Sequence, residues 1–423
     1  MTDWSSLLPD LLRRVGECIL VTSDIDHYMD MRAVCHNWRS ALVDPCSDCA
    51  GVDLLCFRPR HWVMLDEEEE PTDGARLFVN ISTGRFLRRR VLVLQDHILV
   101  GPSDGLLIVG DRKPQHAVRV LNPFTGSLLH FKVILPSYRA KAVVGGGGHE
   151  RPTSLVFGLD CCYDNDDPVW SADPASDYVR ITYGNGPVCL GSMVAHAGHV
   201  YMVDWEWEPS VYEVVWDDCF TYRRWITQRP DAFVSSDEGS ESWPWLRNYL
   251  VESDGELLLV RRPRLRRHNM EVFRVDLEGH TLEPVNQIAG GRHALFVGKR
   301  CLSVDADRLP SVDGNCIYYG IADIYTEDGS LEKCEGMYRY DLGDGSEERI
   351  SGLLSPQSES FRARPFSLIQ VLIASCRPRA RAFVLALSAS FRFSLPTVPS
   401  SLMWKRKSPR DSKMKNDMFP DLY

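Results

Sequence analysis

The sequence predicts a small all-α helical module followed by an all-β propeller of about six blades. Three observations carry that reading. Apolar residues recur at helical spacing over roughly the first 45 positions, periodicity then switches to short alternating or β-branched runs, and those runs return in hairpin-sized units. At 44% hydrophobic and 10% aromatic over 423 residues, the chain can bury a sizeable core, which separates it from disordered and fibrous classes. The expected division is a helical module over 1–45, a propeller over 50–354 and a basic, disordered tail over 355–423.

The helical module starts at Pro9, a residue that a first helical turn tolerates because its missing N–H would have had no partner there. Asp10 adds a negative charge near the positive end of the helix dipole. Leu8, Leu11, Leu12, Val15 and Ile19 follow at i, i+3, i+4, i+7 and i+11, which predicts one apolar helical face. Met31, Val34, Cys35, Trp38 and Leu42 repeat the spacing and predict a second helix. A unit this small lacks the volume to bury both stripes internally, so part of one stripe should face another protein or the next domain.

The pattern Leu8-Pro9-x-Leu11-Leu12, followed by Arg32-x-Val34-Cys35-x-x-Trp38-Arg39, resembles the F-box. That resemblance implies docking on a Skp-type adaptor and, through it, on a cullin–RING ubiquitin ligase, with this chain as substrate receptor. The adaptor-contacting set it implies is Leu8, Pro9, Leu11, Leu12, Val15, Ile19, Val34, Cys35, Trp38 and Arg39. The sequence departs from the family between Asp26 and Met31, where F-boxes carry a more basic and aliphatic run. The plainer alternative is a helical hairpin that only caps the following domain.

Charge is uneven. Residues 361–423 hold 12 Lys+Arg against 3 Asp+Glu, which leaves 36 against 55 for the rest, a body near −19 and a tail near +9. So acidic a body argues against nucleic acid as main ligand, because neutralising phosphates needs clustered cations. No run of 18 uninterrupted apolar residues predicts a membrane span. The thirteen scattered cysteines, with no secretory leader pattern, predict reduced thiols and a cytoplasmic or nuclear setting. The sequon at Asn80 is then expected to stay unmodified. Lys405-Arg406-Lys407 with Lys413 and Lys415 is the sole nuclear-import candidate.

From Val52 onward a unit recurs: an acidic or small residue and glycine, a strand, then a second strand closing in a polar turn. It begins at Asp104-Gly105, Ala197-Gly198, Asp254-Gly255 and Asp313-Gly314, and the glycines lie 93, 57 and 59 residues apart. The long first gap predicts a hidden copy near RITYGNG at 180–186. Spacing of roughly 50 residues per hairpin unit is that of propeller blades, which bury each other's faces around an axis. Two packed sheets are the competing arrangement. The segments YLVESDGELLLVRR (249–262), FRVDLEG (273–279), HALFVGKRCLSVDADRLPSVDGNCIYYG (293–320) and MYRYDL (337–342) resemble plant F-box proteins with a KIB-type β-propeller. The resemblance reaches from about residue 5 to 350 and implies the architecture and the ligase role, but no particular substrate.

Signals for catalysis are weak, and no cofactor, metal or enzymatic activity is expected. Cys46-x-x-Cys49 has zinc spacing without a second pair, and His196-x-x-His199 falls across a turn. Gly145–Gly148 lacks the Lys-Ser/Thr of a phosphate loop and reads as a flexible loop. The acidic run Asp66–Glu70 reads as solvated. Two acidic stretches, 160–177 and 231–245, read as long loops that jointly present a substrate surface for a basic protein segment. Its candidate residues are Asp164, Asp166, Asp167, Trp170, Trp243 and Trp245. Two functional classes follow: a non-catalytic ligase receptor, or a scaffold or small-molecule-binding propeller with a degenerate F-box. A cluster of His, Asp and Glu in the central channel would favour the second.

Overall fold

The computed structural model describes residues 7–45, 57–65, 74–112, 117–134, 140–146, 153–159, 169–174, 180–183, 190–204, 210–216, 221–225, 247–262, 270–298, 300–309, 311–321, 324–325, 331–332, 336–352 and 372. Contacts divide the chain between residues 378 and 379, and all described residues belong to the first unit.

Three helices open the chain: α1 (Pro9–Val21), α2 (Ile25–Ala33) and α3 (His36–Ala41). The second predicted helix is therefore two, because Cys35 is fully extended at φ −160° and ψ 172° and breaks the run between Met31 and Trp38. Nor does α1 gather its apolar residues on one face. Leu12, Gly16 and Ile19 turn inward at i, i+4 and i+7, while Leu8, Leu11 and Val15 point outward. Gly16 lets the helices approach, since a Cβ there would lie 2.7 Å from a Leu42 methyl and 3.1 Å from the Tyr28 ring. Arg32, itself buried, ties the end of the module by donating to the carbonyls of Leu42 at 3.0 Å and Val43 at 2.6 Å.

Strands then run blade by blade. The first blade holds β1 (Trp62–Met64), β2 (Ala75–Asn80) and β3 (Phe86–Arg90), followed by a short helix, α4 (Val93–Asp96). The second holds β4 (His97–Ser103), β5 (Leu106–Asp111), β6 (Ala117–Leu121) and β7 (Leu128–Ile134). The third and fourth are β8 (Ala140–Gly145), β9 (Ser154–Leu159), β10 (Val169–Ala172) and β11 (Arg180–Tyr183), then β12 (Leu190–His196), β13 (His199–Asp204), β14 (Val211–Trp216) and β15 (Thr221–Trp225). Parallel pairing of β11 with β15 fuses these two meanders into one eight-stranded sheet. The fifth holds β16 (Arg247–Ser253), β17 (Glu256–Arg262), β18 (Glu271–Asp276) and β19 (Thr281–Pro284). The last joins β20 (His293–Val297), β21 (Leu302–Asp305), β22 (Cys316–Ile321), β25 (Gly336–Asp341) and β26 (Glu347–Gly352), with a small hairpin of β23 (Ile324–Tyr325) and β24 (Leu331–Glu332) inserted.

The hidden repeat is the third blade, and the RITYGNG segment supplies its strand β11. Three of the four expected turn glycines sit in equivalent hairpins. Asp104-Gly105, Ala197-Gly198 and Asp254-Gly255 all have positive φ at both residues, the two-residue turn whose twist matches that of the strands it joins. The fourth differs: Gly314 leads into β22, which pairs in parallel with β20, so Asp313-Gly314 is no hairpin. Its glycine is required by packing, since a Cβ would fall 2.3 Å from the Gly291 carbonyl oxygen. Gly145, expected in a loop, ends β8. The stretch read as a loop over 160–177 contains β10, which its acidic flanks concealed.

Apolar clusters lie at every junction of the ring. Phe157 with Phe131 joins blades two and three, and Val156 with Met202 joins three and four. Tyr201 with Leu257 joins four and five, and Val260 with Ile317 joins five and six. Val63 and Val79 with Phe296 and Tyr318 close the sixth blade onto the first. Leu372, fully buried, belongs to that closing cluster, so the body of the molecule extends past the expected boundary at residue 354. Leu372→Ala is therefore expected to cost about 2–5 kcal/mol in urea unfolding; an unchanged midpoint would place this residue outside the core.

Candidate functional site

The remaining junction, between blades one and two, also holds the helices. Leu12, Ile25, Tyr28, Met31 and Leu42 form one cluster with Phe57, Trp62, Phe78, Leu107 and Phe124. Tyr28 and Phe57 pack with ring centroids 5.4 Å apart, and Phe124 contacts both Trp62 and Phe78. A polar clamp lies beside this core. Arg85, which follows β2, binds Asp24 at 2.9 Å and Asp26 at 3.0 Å and donates to Nε2 of His27 at 2.7 Å. Nδ1 of His27 bonds Asp24 in turn at 2.7 Å. From β3, Arg89 reaches Asp26 at 3.6 Å, and the two guanidinium groups lie over the rings of Trp62 and Phe124. Burial pushes the Asp26 carboxyl up, and Arg85 opposes that rise.

The acidic link that departs from the F-box pattern thus has an internal role. Removing Arg85 would leave Asp26 buried with weaker compensation. Loss of one partner of a fully buried pair costs ~3–5 kcal/mol. Arg85→Ala should cost less than that, because the Arg85 side chain is 32% exposed, but clearly more than a surface change. Chemical denaturation that finds Arg85→Ala as stable as the parent would show that the clamp contributes nothing.

With its inner side occupied, the module presents its other side. Leu8 is 65% exposed, Leu11 46%, Val15 47% and Val34 58%. Pro9 and Arg39 are exposed, whereas Ile19, Cys35 and Trp38 are half-buried, with Ile19 and Trp38 packed against the shared core. Leu12, expected on the adaptor face, is 1% exposed and belongs to the core instead. An open groove of about 390 Å³ along α1 is lined by Arg14, Val15, Cys18, Ile19 and Thr22.

Of the expected substrate surface, Trp170 alone lies among the described residues. Trp170 lies in β10, half-buried and stacked on Phe157 at 5.6 Å, so it serves the junction of blades two and three. Asp164, Asp166, Asp167, Trp243 and Trp245 lie outside the described residues, as do the Cys46–Cys49 pair, the Asp66–Glu70 run and the basic segment 405–415.

A different cluster forms where the inner strands end. Arg58, buried before β1, donates to the Gly146 carbonyl at 2.9 Å and approaches Asp104 at 3.5 Å, while Gly146 N–H bonds the Gly198 carbonyl at 3.0 Å. Ser253 bonds Ser303 at 2.7 Å and His293 at 3.3 Å, bridging the fifth and sixth blades. His61 and His196 complete the polar rim. Burial lowers both imidazoles, which keeps them neutral near pH 7, and pushes the Asp104 carboxyl up; the Glu252 carboxylate acts on all three. The turn expected between them makes His196 and His199 direct cross-strand partners. His199 is held by Glu213. Sequence reasoning missed this rim, although the repeated turns marked where the inner strands end. Among the described residues no group of three His, Cys, Asp or Glu is placed to hold a metal. Buried Cys316 is a poor nucleophile, its thiol pushed up to about 12 by desolvation.

Among the described residues, six successive blades closed by six apolar junctions define a β-propeller. The family described as KIB1-4 β-propeller matches residues 78–341, and the chain belongs to that family. Among solved structures, TolB from Acinetobacter baumannii is 10% identical with a TM-score of 0.32, over 66% of this chain and 62% of that one. The Dos1 propeller is 10% identical at a TM-score of 0.29, over 67% and 66%, and the WD40 domain of SCAP from fission yeast is 10% identical at 0.29, over 66% and 65%. The chain thus spans slightly less than two thirds of these structures' lengths, and likenesses so distant say nothing of what it binds. Comparison with curated proteins gave no match. Among the described residues, no helix is long and apolar enough to cross a membrane.

Proposed function

We propose that this chain is the substrate-receptor subunit of a cullin–RING ubiquitin ligase, with no catalytic activity of its own. The outer face of α1 docks a Skp-type adaptor, and the propeller holds a protein target near the transferring enzyme, where raised local concentration speeds modification. One observation carries the reading: Leu8, Leu11, Val15 and Val34 stay exposed on a module whose other side is fixed to the propeller. A helical pair that only capped the propeller would have no reason to keep large apolar side chains in water. The F-box-like residues give that face its partner.

The alternative is a scaffold or small-molecule-binding propeller with a degenerate F-box, and the His61, Asp104, His196 and Glu252 rim is what favours it. The two readings part on one experiment. Leu8→Ala with Leu11→Ala should lower affinity for a purified Skp-type adaptor at least about tenfold while shifting stability by no more than ~0.5 kcal/mol, because both side chains are already exposed. Leu12→Ala should instead destabilise the fold. Unchanged adaptor binding by the double variant, or no binding by the parent chain, would contradict the receptor reading.

A further inference from the structure

The first blade is a strand shorter than its neighbour. Its sheet runs β1, β2, β3, whereas blades two and five carry four strands each, so among the described residues β3 has no neighbour on its outer side. The Arg85 carbonyl accepts the Asn80 N–H at 2.8 Å, and the Val91 N–H donates to the Gly74 carbonyl at 2.9 Å. With an unbroken register between them, residues 85, 87, 89 and 91 pair inward with β2, and alternation turns the N–H and C=O groups of Phe86, Arg88 and Arg90 outward. The same three residues have exposed side chains, while Leu87 and Arg89 pack back towards the core shared with the helices.

The side chains along this edge are as distinctive as its backbone. Four of residues 85–90 are arginine, in a chain of net charge −10. Arg85 and Arg89 are held by Asp24 and Asp26, but Arg88 and Arg90 make no ion pair among the described residues. Phe86, 50% exposed, and Leu92, 61% exposed, flank them, and these are the two large apolar side chains that the described blades leave in water. Charge alone is an ordinary protection of a sheet edge against pairing. An exposed apolar residue at each end works against such protection, and the edge reads apolar, cation, cation, apolar at alternate positions. A second copy would set arginine against arginine, and residues 361–423 carry charge of the same sign. What the edge fits is an acidic strand.

We propose that the outer edge of β3 takes an extended acidic segment of a partner protein as the fourth, antiparallel strand of blade one, with carboxylates against Arg88 and Arg90 and apolar side chains against Phe86 and Leu92. Main-chain hydrogen bonds to the edge supply affinity and the alternate side chains supply selectivity. The inference goes beyond adaptor docking and stands without it. Fluorescence anisotropy with the full chain tests it, using a labelled Val-Thr-Glu-Thr-Glu-Thr-Val peptide. One control peptide has lysine for both glutamates. A second is N-methylated at both glutamates, which keeps its charges but removes the N–H groups that face the edge in an antiparallel ladder. The acidic peptide should bind saturably and both controls at least about tenfold more weakly. Arg88→Glu with Arg90→Glu, at exposed side chains, should melt like the parent, lose at least about tenfold for the acidic peptide and gain binding of the lysine peptide. No saturable binding, equal binding of the N-methylated peptide, or undiminished binding by the double variant would overturn the proposal. Binding gained only after Asp66, Glu67, Glu68, Glu69 and Glu70 are all changed to Ser would make this chain's own acidic run the occupant, and would overturn it too. Adaptor capture by the double variant should be unchanged, which separates this edge from the helical face.

Discussion

One shared core governs the amino-terminal half of this protein. The helices cannot bury their own apolar residues, and the junction of blades one and two has Trp62, Phe78 and Phe124 to cover; each solves the other's problem. Burial of Tyr28, Ile25 and Leu12 against those rings fixes which side of α1 faces inward. The outward side is then a consequence, and Leu8, Leu11 and Val15 are exposed because Leu12, Gly16 and Ile19 are not.

The polar clamp adds direction to that packing. Apolar contact is tolerant of rotation, whereas Arg85 meets Asp24, Asp26 and His27 together, contacts that depend on how the start of α2 is oriented. For a receptor this matters mechanically: an adaptor on α1 and a target on the blades would be held at a set distance, with no slack at the joint to dilute the effective concentration.

Much of the architecture was legible in the sequence. Pro9 and the helical spacing marked α1, and the Asp-Gly and Ala-Gly turns at 104, 197 and 254 marked three blades, because a two-residue hairpin with positive φ leaves few residue choices. Asp313-Gly314 misled, since its glycine answers to the Gly291 backbone and not to a hairpin, a tertiary contact that no local pattern records. The break at Cys35 and the inward turn of Leu12 were hidden for a similar reason. Apolar residues on two sides of a short helix look like one broad stripe until a partner surface chooses between them. The rim was invisible because its members are spread from the first blade to the sixth along the chain, and no local pattern links them. Trp170 shows the converse, an aromatic among acids that reads as a binding residue and packs on Phe157 instead.

The central claim is that helices and first blades form a single cooperative unit that leaves one helical face free. Native-state hydrogen exchange across a denaturant series tests this most directly. Amides within α1 and α2 should open with the same free energy and the same denaturant dependence as those of β2 and β5, as members of one foldon do. Exchange of the helices at markedly lower free energy, with the strands still protected, would show a loosely tethered module and contradict the account.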